Sequence, residues 1–306
     1  MRGRWRMLLL LLCACKAEIG GNLADPDGGT DANADATDAM GTFGPWSAPM
    51  MLPGASTAGA SEDDGTLSNS KLELIFSKAD PAIDAGRKHL YWMSRTAVTS
   101  TTWSTPVRLS INVDLTSDET PRFSADDKTL FFASNRAGTT GALDIWQSTR
   151  PTIGTAMGWT MPTLVGTINS AQTDKWCVPC SLGKYLMVST RNSLATPSED
   201  IYEGTTGGGA PTLVAELSDL TKTDNGAFIS SDCNTMFFAS TRAGAQRIYT
   251  STRASATSPW SAPQPLPDFV AVGLAQEDPW LSEDGRTFVF SATTTAGNKD
   301  VYITTR

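Results

Sequence analysis

Residues 118–136 read DETPRFSADDKTLFFASNR, and residues 224–242 read DNGAFISSDCNTMFFASTR. Each places two apolar stretches around a short polar turn, which is the pattern of a strand, a tight turn and a second strand. Three more stretches align with them over nineteen residues without a gap. They are EDDGTLSNSKLELIFSKAD from Glu62, TDKWCVPCSLGKYLMVSTR from Thr173 and QEDPWLSEDGRTFVFSATT from Gln276. The sixth column is always apolar (Leu67, Phe123, Val178, Ile229, Leu281), and so is the fifteenth (Phe76, Phe132, Met187, Phe238, Phe290). A repeat of this kind decides the fold before any single residue does.

Two further elements follow each window. HLYWMSR, DIWQSTR, DIYEGTT, RIYTSTR and DVYITTR share an aromatic third position: Tyr91, Trp146, Tyr202, Tyr249 and Tyr302. PWSAPMML, TWSTPVRL, GWTMPTLV, GGGAPTLV and PWSAPQPL share a proline at 49, 106, 162, 211 and 263. Proline donates no ladder hydrogen bond, so the last element is expected at the outer edge of its sheet. Four short antiparallel strands recurring at roughly 50-residue spacing predict an all-β, five-bladed β-propeller of four-stranded antiparallel blades. The chain opens on an edge strand at Pro45 and stops after a third strand at Arg306. The ring is therefore expected to close when the N-terminal strand completes the last blade.

The repeat resembles the WD40-like, TolB-type propeller repeat, in which an acidic residue and Ser-x-Asp-Gly precede an aromatic strand ending in Ser-x-Arg. The matching parts are Ser124-Ala125-Asp126, Ser282-Glu283-Asp284-Gly285, Ser134-Asn135-Arg136 and Ser240-Thr241-Arg242. The resemblance covers residues 45–306. It departs in the first repeat, with Lys78-Ala79-Asp80, and in the third, with Pro179 in place of serine. It implies a binding module of the cell envelope, without catalysis, for a protein, peptide or glycan.

In such blades the first strand of each window lines the central channel. Near its start sits an acid in four repeats, Asp63, Glu119, Asp174 and Glu277, with Asn225 in the fifth. Four carboxylates at one mouth suit a cation such as Ca2+ or a basic ligand. Alternatively each acid pairs inside its blade, with backbone amides or with Arg136, Arg191 or Arg242. The third and fifth repeats break the symmetry, with Lys175, Trp176, Cys177 and Tyr185 in one and Asp278 and Trp280 in the other. Trp176 and Trp280 are candidate stacking platforms for a sugar or an aromatic side chain, or else core filling. The channel-mouth ligand candidates are thus Asp63, Glu119, Asp174, Lys175, Trp176, Glu277, Asp278 and Trp280. No catalytic residue is assigned and no cofactor is expected. A carbohydrate-active hydrolase using the channel carboxylates is the alternative, since five-bladed propellers host glycosidases. A structural envelope scaffold is a third.

Composition narrows the classes. The 306 residues carry 24 basic and 32 acidic side chains, a balance of −8. Leaving out the first 14 residues, which hold Arg2, Arg4 and Arg6, makes it −11. A chain so acidic is not expected to bind nucleic acid. Its one histidine, His89, opens a third strand with no nucleophile pattern near it. Gly207-Gly208-Gly209 lacks the Lys-Ser of a phosphate loop and stands where other edge strands have tryptophan.

The N-terminus reads MRGRWRMLLLLLCAC, three arginines and a short apolar stretch. It suits a secretory signal and is too short to span a bilayer. Leu12-Cys13-Ala14-Cys15 resembles the bacterial lipobox, which implies cleavage to leave residues 1–14 as signal peptide and lipidation of Cys15. Lys16, rather than Asp, favours an exported outer-membrane lipoprotein, periplasmic or surface-facing. Residues 15–43 form a lipidated cysteine plus an Asp/Gly/Ala tether, and residues 44–306 the propeller. Among the remaining cysteines, Cys177 and Cys180 are three apart on a strand and so point to opposite faces. Cys180 and Cys233 both lie near first turns of adjacent blades, and they are the expected disulfide.

Overall fold

The computed structural model of the chain describes residues 44–192, 198–267, 269, 274–294 and 296–306. The expected signal peptide 1–14 and the expected lipidated Cys15 and tether, 15–43, lie outside the described residues. The propeller is five-bladed and all-β, each blade a four-stranded antiparallel sheet. A two-residue strand, β1 (Met50–Met51), precedes the first blade. Blade 1 runs β2 (Ser61–Leu67), β3 (Glu73–Ala79), β4 (Lys88–Ser94) and β5 (Val107–Arg108). Blade 2 is β6 (Asp118–Phe123), β7 (Thr129–Ser134), β8 (Asp144–Thr149) and β9 (Thr163–Leu164). Blade 3 is β10 (Asp174–Pro179), β11 (Lys184–Ser189), β12 (Asp200–Thr205) and β13 (Thr212–Leu213). Blade 4 is β14 (Asp224–Ile229), β15 (Thr235–Ser240), β16 (Arg247–Thr252) and β17 (Gln264–Pro265). Blade 5 is β18 (Gln276–Leu281), β19 (Thr287–Thr293) and β20 (Lys299–Thr305), and β1 pairs with β20 to complete it.

The repeated columns have physical roles. Each edge strand is two residues long and starts directly after the recurring proline, which keeps that edge short. The aromatic third position packs on the second strand, as in the stacked pairs Phe76–Tyr91, Phe238–Tyr249 and Phe290–Tyr302, at 6.0, 6.0 and 5.5 Å between ring centroids. The Ser-x-Asp turn closes on itself: Ser124 Oγ donates to Asp126 Oδ1 at 2.6 Å, and the amide of Lys128 donates to the same oxygen at 3.1 Å. The Ser-x-Arg arginine reaches back to the first residue of the inner strand. Arg136 meets Asp118 at 2.5 Å, Arg191 meets Asp174 at 2.6 Å and Arg242 meets Asp224 at 2.8 Å.

A second arginine, just past the third strand, clips four of the five blades to the tryptophan ahead of the edge strand. Arg95, Arg150, Arg253 and Arg306 stack on Trp103, Trp159, Trp260 and Trp46 at 4.2–4.7 Å. Each also donates its Nε to a turn carbonyl: Lys71, Asp127, Cys233 and Gly285 respectively. Blade 3 has lost both partners, with Thr206 and Gly208 in their places. There the Cys180–Cys233 disulfide joins blades 3 and 4 instead. Cys177 remains a free, buried thiol.

Blade 3 also corrects the alignment. Phe123 pairs with Leu130 across residues 124–129, but Pro179 pairs with Tyr185 across 180–184 only. The first turn is one residue shorter there, so an ungapped alignment shifts β10 by one position. Asp174 is the counterpart of Asp118, not of Glu119, and Lys175 takes the Glu119 place.

Candidate functional site at the channel mouth

The inner strands β2, β6, β10, β14 and β18 each carry a β-bulge, with register shifts after Asp63, Glu119, Lys175, Asn225 and Glu277. The next residue adopts a left-handed backbone in every blade: Asp64 (φ 61°), Thr120 (56°), Trp176 (50°), Gly226 (59°) and Asp278 (55°). For the four that are not glycine this costs about 1–2 kcal/mol each, which surrounding contacts must offset. They do so from blade to blade. The Trp176 amide donates to Thr120 Oγ1 at 3.4 Å, the Thr120 amide to Asp64 Oδ2 at 3.2 Å, and the Asp64 amide to Asp278 Oδ2 at 3.3 Å. At Gly226 a Cβ would come within 2.8 Å of the Asp278 nitrogen, so only glycine fits.

Beside this bulge layer runs a belt of charged and amide side chains. Half of it comes from the residues before the bulges: Asp63, Glu119, Lys175, Asn225 and Glu277. The other half sits at or just before the third strands: Lys88, Glu199, Gln246 and Lys299. Lys88 Nζ lies 2.7 Å from Asp63 Oδ2, 3.4 Å from Asp64 and 3.2 Å from Glu119. Lys299 Nζ lies 2.5 Å from Glu277 and 3.5 Å from the same Asp63 oxygen. Lys175 pairs with Glu199 at 2.6 Å, Asn225 donates to Glu199, and Gln246 bridges Asn225 and Glu277. Leu143 holds the corresponding place in blade 2 and interrupts the belt; its backbone bridges to Thr173.

One layer along the channel, Arg122 is 1% exposed. One of its terminal nitrogens donates to the Asp64 and Pro121 carbonyls at 3.2 and 2.9 Å. Its neighbours give the two bulge carboxylates opposite states. Burial opposes ionisation of Asp64, but Lys88, Arg122 and Lys299 outweigh it and hold this carboxyl well below the usual range. Asp278 is driven far upward, first by burial and then by Asp64, Glu277 and Asp63. Burial and the neighbouring Asp64 push Asp63 up to about 7.

Of the eight candidate residues, Asp63, Glu119, Lys175, Glu277 and Asp278 come together here. Asp174 does not: it turns away from the belt to bind Arg191 and the Ser170 amide. Trp176 and Trp280 are buried and present no face for stacking. Trp176 donates its Nε1 to Asp64 at 3.2 Å, and Trp280 packs against Phe228. Asp64, Lys88, Arg122, Glu199, Gln246 and Lys299 were not among the sequence candidates. Among the described residues, no group of three His, Cys, Asp or Glu side chains is placed to hold a metal ion. A groove of about 380 Å3 between blades 3 and 4 is lined by Lys184, Glu203, Arg253 and Trp260. It lies away from the belt, and three of its charged side chains pair with one another: Glu203 binds Lys184 at 3.0 Å and Arg253 at 2.9 Å.

No known family model matches the chain, and comparison with curated proteins finds no match. Among solved structures it is similar to the endo-arabinase from Bacteroides thetaiotaomicron VPI-5482, at 14% identity over 83% of this chain and 96% of that one, with a TM-score of 0.56. It is likewise similar to the α-L-arabinofuranosidase from Podospora anserina, at 11% identity over 85% and 95% of the chains, with a TM-score of 0.55. TolB from Acinetobacter baumannii aligns at 13% identity and a TM-score of 0.46, over 80% of this chain and about half (54%) of that one. The likeness to the first two shows the propeller fold and no more.

Proposed function

We propose that the chain is a non-catalytic recognition module of the bacterial envelope, binding a segment of a partner at the channel mouth. The observation that carries this reading is the state of the carboxylates. Asp63, Glu119 and Glu277 are already paired with Lys88 and Lys299, and Asp64 and Asp278 are buried beside them. A glycosidase needs two carboxyl groups that touch the sugar with water or the leaving group between them. A belt that satisfies itself is instead a polar rim of the kind that sets register and selects partners. The second reading, a carbohydrate-active hydrolase, is favoured by one feature: Asp64 ionised beside a protonated Asp278, an acid and a base set apart by their surroundings. Crosslinking of the full chain in intact envelopes decides between them. The recognition reading expects a partner that is lost on changing Lys88 and Lys299 to Gln. Turnover of a glycan panel, abolished by Asp278→Asn, would overturn it.

The proposed address rests on Leu12-Cys13-Ala14-Cys15. Lipid on Cys15 anchors the protein in the outer membrane, and residues 16–43, rich in Asp, Gly and Ala, tether the propeller to it. Cys15→Ala should abolish incorporation of labelled fatty acid and release the protein from the membrane fraction. Labelling that persists in this variant would remove the anchor.

A further inference from the structure

The belt's charges are not equally deep. The side chains of Lys88 and Lys299 are 25% and 34% exposed, whereas that of Asp63 is 2% exposed. Both ammonium groups converge on a single oxygen, Asp63 Oδ2, at 2.7 and 3.5 Å. Two ammonium groups aimed at one point are a carboxylate cradle, and charge-assisted bonds of this kind are the strong ones. Its occupant is the protein's own side chain. What approaches the channel from solvent therefore meets lysine first, in a chain that is acidic overall.

We propose that Lys88 and Lys299 form a binding site for a carboxylate of an acidic peptide, which replaces Asp63 at the lysine pair as Asp63 takes up a proton from solvent. This rests on the recognition reading above and names its ligand and its control. The exchange balances. One intramolecular carboxylate leaves the two ammonium groups, one ligand carboxylate arrives, and the proton on Asp63 keeps the site from gaining a negative charge. Asp63 is suited to the step because burial and Asp64 push it up to about 7. The charged groups facing it are Asp64 on β2, Lys88 on β4, Glu119 on β6, Glu277 and Asp278 on β18, and Lys299 on β20. Asp64, Glu119 and Glu277 favour the neutral form of Asp63 once the lysines turn to a ligand.

The rim favours a peptide over an acidic glycan. Ile83, Val113 and Leu115 are exposed apolar side chains on the two loops that lead into Lys88 and Asp118. Asp84, Ala85 and Leu115 hold left-handed backbones there, at φ 48°, 55° and 65°. The Asp84 carboxylate fixes them by accepting from the Leu115 amide at 2.7 Å and bonding His89 Nε2 at 3.1 Å. Strain maintained to present apolar side chains beside a cationic site suits a ligand with apolar side chains next to its carboxylates.

Calorimetric titration of the full-length protein, in detergent at low salt, with a hexaglutamate peptide tests this. Binding should weaken about tenfold for each pH unit above 7, with about one proton taken up per ligand. Lys299→Gln should weaken it about tenfold or more at pH 6. Asp63→Asn should tighten binding at pH 8 and flatten its pH dependence. If Asp63→Asn fails to fold, the wild-type pH profile and Lys299→Gln, a partly exposed position, still decide. Affinity that ignores pH or Lys299 would overturn the proposal. So would preference for hexalysine, or equal binding of oligogalacturonate, which would assign the site to another ligand. A partner crosslinked in envelopes while hexaglutamate fails to bind would leave the recognition reading standing and remove this one.

Discussion

A chain that begins at Pro53 is expected to melt about 10 °C or more below one that begins at Gly44, while the latter melts with the full protein. The nine residues between them finish the ring. Met50 and Met51 pair with Ile303 and Tyr302. The Ser47 amide donates to the Thr305 carbonyl, and the Leu52 amide to the Val301 carbonyl, both at 2.8 Å. Leu52 is fully buried among Leu74, Phe76, Met93 and Val301. Trp46 covers Phe288 at 5.5 Å between ring centroids and receives Arg306 at 4.3 Å. Burying one leucine and one tryptophan contributes about 2–3 kcal/mol each, and each hydrogen bond about 1 kcal/mol. The sum is several kcal/mol, and a domain of this size shifts by about 2–4 °C for each. Loss of β1 also leaves β20, seven residues long, as an open edge, so the shorter chain should associate. Calorimetry and gel filtration read both effects. Equal melting temperatures would refute closure by the N-terminal strand.

The fold was legible because it repeats: an apolar column that recurs five times outweighs any local ambiguity, and the recurring prolines mark the edges. The site was legible only in part, for three physical reasons. The short turn in blade 3 has no signature that an ungapped alignment detects, so Asp174 was placed beside Glu119 although it belongs with Asp118 and Arg191. The bulges add one residue to every inner strand and turn Asp64 and Asp278 toward each other, which a strict alternation of faces does not foresee. The lysines open the third strands, just outside the aligned aromatic columns, where Lys88, Glu199, Gln246 and Lys299 read as loop residues. Their signal was present in one form. Four acids gathered at one mouth require counter-charges, and the candidates were the cations flanking the third strands rather than the Ser-x-Arg arginines. The buried state of Trp176 has the same origin, since it is itself a bulge residue.

Stability should peak at mildly acidic pH and fall between about pH 5 and 8, with the melting temperature dropping by roughly 10 °C over that interval. Three buried carboxyls set the sign. Glu62 lies where blades 2, 3 and 4 have an aspartate bound to arginine, but its nearest cation is Lys78, at 3.8 Å. Burial pushes it up to about 7, as burial and Asp64 do for Asp63. Asp278 is also driven well upward, first by burial and then by Asp64. A carboxyl raised in the folded state is protonated there at pH 5–7, while in the unfolded chain it is already ionised. The native state thus binds more protons, and stability declines as pH rises from the unfolded value toward the folded one. Below about pH 4 the opposite set takes over. Asp64, held low by Lys88, Arg122 and Lys299, and Glu203, held low by Arg253 and Lys184, lose their stabilising charge when protonated. Asp278→Asn isolates the effect. Asparagine tolerates the left-handed backbone at this position and cannot ionise, so the variant should be less pH-sensitive and more stable than wild type at pH 8. Melting curves of both proteins from pH 4 to 9 decide the matter. A wild-type curve that rises steadily to pH 8 would mean that these carboxyls are ionised in the folded protein, and that the lysine belt neutralises all of them.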